Sequence, residues 1–189
     1  MSIKEFDGGL QGNQEITIGI DQSLTGFALS AVSVEFPNKH KTWVYKSEFR
    51  GVQRLVDIYN WLDAKFVEFM WNGWHVKDIA MEGTVLASHS ALALGELSAV
   101  VKLVIWFKHH EPPLQIPPMT LKKYATGKGT AKKQEMLLQI YKRWGVEFND
   151  DNAADAYALA RLASGSAIDA IERETQEKIK DPKYRDFIQ

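Results

Sequence analysis

The chain contains no cysteine. This excludes disulfides, thiolate zinc sites and cysteine nucleophiles, and it fits a reducing compartment. Long hydrophobic runs are missing too. None approaches the ~20 residues of a membrane helix, and Lys102 interrupts the strongest. Met1 to Glu15 is polar and glycine-containing, without the apolar core of a signal peptide. These features predict a cytoplasmic protein with no membrane partner. No repeat and no linker separates domains, and 189 residues suffice for one sizeable core. The expected organisation is a flexible segment over 1–15, one folded domain over 16–163, and a charged, helical tail over 164–189. Net charge is also nearly absent, at −1, but its distribution is uneven. Between Met119 and Trp144 lie seven cations (Lys122, Lys123, Lys128, Lys132, Lys133, Lys142, Arg143) and one acid, Glu135. That stretch carries +6 and the remainder −7, a segregation suited to a polyanionic partner.

What is present is organised around Ile16-Thr17-Ile18-Gly19-Ile20-Asp21. Isoleucines at every second position share one face of a strand, and Thr17, Gly19 and Asp21 share the other. A carboxylate delivered by a hydrophobic strand is held rigidly, as a metal ligand must be. A strand-end aspartate can also simply start a turn, so the weight rests on finding more acids in similar settings.

The rest of the pattern supplies them. Phe27–Phe36 and Thr42–Phe49 read as two further strands around a Pro37-Asn38 turn, completing an antiparallel meander. Leu55, Ile58, Leu62, Phe66 and Phe69 mark an amphipathic helix. His75–Glu82 is a fourth strand ending on an acid. A helix from Ser88 to about His110 has a core stripe (Leu94, Leu97, Val101, Val104) and a stripe of small residues (Ala87, Ala91, Gly95, Ser98), which allows close packing within the fold or in a dimer. Leu114–Ile116 is a fifth strand. Thr120–Thr126, then Thr130 (as a cap) to Trp144, then Asn152 to about Ala163 are helices. This order is that of an α/β protein with a mixed sheet. It resembles the RNase H-like architecture, which implies a five-stranded sheet, three strands antiparallel and two parallel, flanked by helices.

On the last helix Asp155 shares a face with Leu159 and Leu162, so its carboxylate points toward packed surface. Asp151 and Asn152 lie on the same side, where either could instead cap the helix. Three or four converging carboxylates repel unless a cation neutralises them. Oxygen-only ligation, with no HExxH histidine pair, favours Mg²⁺ with Mn²⁺ as substitute. Two such ions about 4 Å apart can clamp the attacking water and the leaving oxygen of a phosphodiester. Beside a basic segment, that points to a nuclease.

Here the sequence resembles the RuvC family of Holliday junction resolvases, in its bacteriophage-type form. Ile18 to Gly26 resembles the family's first acidic strand and glycine turn, Ile79-Ala80-Met81-Glu82 the second acidic strand, and Ala91 to Glu96 the helix that follows. Leu121 to Lys133 resembles its DNA-contacting stretch, and Asp151 to Ala160 its final acidic helix. The match spans about Ile16 to Ala163. It implies catalytic, metal-binding roles for Asp21, Glu82, Asp151 and Asp155, with Asn152 as the alternative fourth ligand. DNA contacts are implied for Lys122, Lys123, Lys128, Lys132 and Lys133, with Lys122 and Lys133 at the family's functional lysine positions. A homodimer acting on branched DNA, above all four-way junctions, is likewise implied. Two departures stand out. Bacterial members carry an acid or histidine where this chain has Asn152, and Thr84-Val85-Leu86 occupies the place of an aromatic wedge. The alternatives are an RNase H or flap nuclease on the same fold, or a junction-binding module without catalysis. An actin-like ATPase would need a second phosphate-binding glycine loop, which the sequence does not offer.

Overall fold

Ile16, Ile18 and Ile20 are fully buried on one face of a central strand, as their alternation requires. In the computed structural model, which describes residues 2–83 and 91–185, the chain runs β1 (Ser2–Asp7), β2 (Gln14–Asp21), β3 (Phe27–Ser33), β4 (His40–Lys46), α1 (Gly51–Trp71), β5 (Trp74–Glu82), α2 (Ala91–His109), β6 (Leu114–Ile116), α3 (Pro118–Thr126), α4 (Lys133–Trp144), α5 (Asp151–Ser164) and α6 (Ala170–Lys178). The strands form one sheet in the order β1-β4-β3-β2-β5-β6. β2, β3, β4 and β1 pair antiparallel, whereas β5 and β6 join parallel to β2. This is the RNase H-like arrangement expected from the sequence, with helices on both faces.

Each face has its own core. The isoleucine face packs with Leu29, Trp43, Tyr45 and Met81 against Ile58, Leu62, Phe66 and Phe69 of α1 and Leu97, Val101, Val104 and Ile105 of α2. The opposite face carries Ala28, Val32, Val44, Ala80 and Ile116 against α5, with α3 and α4 beyond it. Helix α5 is buried along most of its length because alanines at 153, 154, 156, 158 and 160 keep it slim enough to lie on the strands.

The sheet has six strands rather than five. The additional one is β1, where the sequence suggests a flexible segment. Ser2–Asp7 pairs in register with β4 from Lys46 to Lys41. The Trp43 indole N–H donates to Glu5 at 2.8 Å, Lys41 pairs with Glu5 at 3.1 Å, and Lys4 reaches Asp150 at 3.7 Å. An edge strand needs one hydrogen-bonded neighbour and tolerates charge on its outer side, so it carries no apolar run to betray it. Thr130 also departs from expectation. α4 starts at Lys133 with Lys132 as its N-terminal flanking residue and no side-chain cap.

Residues 166–185 return to the basic helices. Glu172 in α6 is fully buried and accepts from Arg143 Nη2 at 2.7 Å, Trp144 Nε1 at 2.8 Å and the Ile168 amide at 3.0 Å. A buried carboxylate so fully hydrogen-bonded fixes α6 against the end of α4. Among the described residues, no helix is long and apolar enough to cross a membrane.

Candidate active site

The site is made by letting a helix backbone touch a strand. A Cβ at Gly19 would lie 1.9 Å from the Ala156 carbonyl oxygen and 2.4 Å from the Ala160 nitrogen. Only glycine allows α5 to sit this close to β2. Next to it, the Thr17 hydroxyl donates to the Ala160 carbonyl at 2.8 Å and fixes the helix along the strand. α5 therefore runs back over β2, and Asp155 reaches the strand end where Asp21 stands. The neighbouring parallel strand β5 pairs Met81 with Ile20, so Glu82 ends beside Asp21. The Gln22 amide donates to the Glu82 carbonyl at 2.8 Å and ties the two strand ends together.

The carboxylates feel one another strongly. Burial, then the charges of Glu82 and Asp155, push Asp21 well above the usual carboxylate range. Burial also raises Glu82, while its hydrogen bond with Asp21 and the cations Lys122 and Lys133 pull the other way. The hydrogen bond between the two favours the protonated form of Asp21 and the charged form of Glu82. Asp155 is pushed up to about 7 by burial and by Glu82 and Asp151, with Lys133 and Lys122 opposing. Asp151, by contrast, is held below the usual range by a hydrogen bond from Lys133, with which it forms an ion pair.

Among the described residues no three such side chains stand ready-arranged around an ion. The contacts explain why. Asp21 and Glu82 are hydrogen-bonded to each other, and Asp151 is paired with a lysine. The donor set nevertheless fits a hard divalent cation. All its oxygens are carboxylates, and their burial and mutual repulsion favour a neutralising positive charge among them.

The structure sorts the remaining sequence-derived residues. Lys122 and Lys133 lie within electrostatic reach of the acids. Lys123 instead pairs with Glu174 of α6 at 2.9 Å. Lys128 lies on the loop between α3 and α4, 3.4 Å from Glu135, and Lys132 is exposed. Arg143 is turned to Asp169 and Glu172, both at 2.7 Å. The charge segregation seen in the sequence is thus partly neutralised in space. The cap of α5 is neither Asp151 nor Asn152 but Asp150, which accepts from the Asn152 and Ala153 amides at 3.1 and 3.3 Å. Asp151 is left free of the cap. The Asn152 amide lies against the β2–β3 turn, 2.6 Å from where a Cβ on Gly26 would project. Residues 84–86, at the place of the family's wedge, fall outside the described residues. Two features escape the sequence reading: Gln22 as the tie between strand ends, and an outward apolar stripe on α2. Leu92, Leu103, Trp106 and Phe107 are all exposed, from 52% for Trp106 to 81% for Leu92, and helical spacing puts them on one side.

The order of strands, the acids at the ends of β2 and β5 and the acidic helix laid over them define an RNase H-like fold with carboxylates gathered at its strand ends. Solved structures narrow the fold. The chain is similar to RuvC from Thermus thermophilus (TM-score 0.63, 23% identity, covering 79% of this chain and 94% of that one). It is similarly close to T. thermophilus RuvC in complex with a Holliday junction substrate (TM-score 0.61, 23% identity, 77% and 90%). The yeast mitochondrial Holliday junction resolvase Ydc2 aligns over 95% of this chain and 85% of its own, with TM-score 0.54 and 15% identity. At these identities the likeness establishes the fold, which is that of the RuvC-like Holliday junction resolvases. No protein-family model and no curated protein matches the sequence.

Proposed function

We propose that the protein is a divalent-metal-dependent endonuclease that nicks four-way and other branched DNA junctions. The observation carrying this reading is the convergence of Asp21, Glu82 and Asp155, acids whose protonation is favoured by burial and mutual repulsion, beside Lys122 and Lys133. Asp151 completes the set in preference to Asn152, because its carboxylate brings charge where an amide brings only a dipole. Bound Mg²⁺ or Mn²⁺ would lower the pKa of a water and stabilise charge on the leaving oxygen. The chain's own contributions are separate. Asp21, Glu82, Asp155 and Asp151 would hold the ions, β2, β5 and α5 fix those acids relative to one another, and Lys122 and Lys133 would draw the phosphate to them. Binding through phosphates gives affinity with little base reading, so junction shape would select the substrate. The partner junction in the Thermus complex supports this choice of polyanion.

Two nicks related by a two-fold axis need two sites. The exposed stripe of Leu92, Leu103, Trp106 and Phe107 on α2 supports a homodimer, since a row of large apolar groups on a surface helix favours a partner. The test is cleavage of a synthetic four-way junction beside linear duplex, flap and RNA–DNA hybrid, in Mg²⁺ and in EDTA. Junction-selective nicking that needs the ion supports the reading. Preferential cleavage of the hybrid would transfer the protein to the RNase H class, and binding without nicking in either Mg²⁺ or Mn²⁺ would make it a junction-binding module.

A further inference from the structure

Lys133 stands at an unusual place. It is the first residue of α4, and although its side chain is 76% exposed it pairs with Asp151. Asp151 is free to accept it because Asp150 performs the capping of α5. The same ammonium also lies within electrostatic reach of Asp155 and Asp21. A cation on the rim therefore lies across Asp151, the least buried acid of the cluster.

We propose that Lys133 is a built-in counter-ion for the cation site, bound to Asp151 while the site is empty and released toward the DNA phosphate when a divalent ion takes Asp151. This inference rests on the nuclease reading and assigns to its site a coupling between ion loading and substrate binding. An ammonium and a divalent ion cannot both be the close partner of one carboxylate oxygen. Loading the ion must therefore break the Lys133–Asp151 pair, and a lysine that has lost its acid is a better phosphate ligand. By linkage the converse holds: DNA that captures Lys133 leaves Asp151 unpaired and strengthens ion binding. The competition is modest in size, because the pair is partly exposed and screened.

The test is a direct titration of the DNA-free protein with Mn²⁺, followed by calorimetry or by the magnetic resonance of the free ion. Lys133→Ala should bind Mn²⁺ about three- to tenfold more tightly than the unmodified chain, the range expected for a partly screened charge pair. Lys142→Ala, which removes an exposed cation from the far end of the same helix, should leave the affinity unchanged. In an Asp151→Asn background Lys133→Ala should tighten binding much less, the remainder acting through Asp155 and Asp21, which separates action through Asp151 from a general loss of positive charge. Unchanged or weaker Mn²⁺ binding by Lys133→Ala overturns the counter-ion role, while junction nicking by the unmodified protein would still uphold the nuclease reading. Equal tightening in both backgrounds also overturns it, since the effect would then be nonlocal. If the unmodified protein binds no Mn²⁺ at millimolar concentration, both this proposal and the metal-dependent reading fall.

Discussion

Replacing Asp155 by asparagine should stabilise the metal-free protein even as it destroys the site. Asp155 has its carboxyl pushed from 3.8 up to about 7, mainly by burial and then by Glu82 and Asp151. A group whose folded-state pKa is raised takes up protons on folding. Its stabilising contribution is complete below the unfolded value near 4 and is lost as pH rises through about 7. At pH 8 the folded protein therefore bears a buried charge that the unfolded chain carries in water. The full difference corresponds to about 4 kcal/mol, and solvent and salt near the partly exposed group reduce it to about 1–3 kcal/mol. Asparagine keeps the shape and removes the charge. In EDTA at pH 8, Asp155→Asn should melt above the unmodified protein by about 2–4 °C per kcal/mol gained, and at pH 4 the gap should nearly vanish. Added Mg²⁺ should close it from the other side, because ions at about tenfold above their dissociation constant stabilise the intact site by about 1.4 kcal/mol. The assay is thermal unfolding at two pH values with and without Mg²⁺. A variant melting at or below the unmodified protein in EDTA at pH 8 would refute the charge-repulsion account of the cluster.

The other predictions concern single contacts. Gly19→Ala should cost about 3 kcal/mol or more, because its methyl would lie 1.9 Å from a helix carbonyl; a melting temperature within 2 °C of the unmodified protein (~2 °C is below 1 kcal/mol here) would show that α5 does not rest on β2. Lys122→Ala and Lys133→Ala should weaken junction binding or slow nicking more than Lys142→Ala, as measured at low salt; equal, small losses would leave them as solvated surface lysines. Lys123→Ala should fall between them, since Lys123 already pairs with Glu174. Asp151→Asn should slow nicking by orders of magnitude and Asn152→Ala less, whereas the opposite ranking would move the fourth ligand to Asn152.

The sheet and its acids were legible because they obey local periodicities. Isoleucines two apart located β2, and spacings of three and four located α1, α4 and α5. What stayed hidden depended on partners far along the chain. Gly19 shows as a gap in a strand face, but its reason is a helix 137 residues later, at Ala156. β1 carries two large apolar residues in six, Ile3 and Phe6, and is defined by its backbone pairing with β4. Arg143 reads as part of a basic stretch until α6 brings Asp169 and Glu172 to it. The α2 stripe shows a related ambiguity: the helix is apolar nearly all round, and periodicity cannot say which apolar side faces outward. Asp150, Asp151 and Asn152 are three adjacent residues that can all cap a helix, and only backbone geometry selects Asp150.

The central claim is that carboxylates gathered at the ends of β2, β5 and α5 perform ion-dependent cleavage of junction DNA. The most direct measurement compares the unmodified protein with Asp21→Asn and Glu82→Gln on one labelled four-way junction, scoring binding by gel shift and nicking in Mg²⁺ from the same samples. The account predicts that all three proteins bind the junction with affinities within a few-fold, about 1 kcal/mol, and that only the unmodified protein nicks it. Near-normal nicking by both variants would contradict it, because two hydrogen-bonded acids at the heart of the site would then be dispensable to its chemistry.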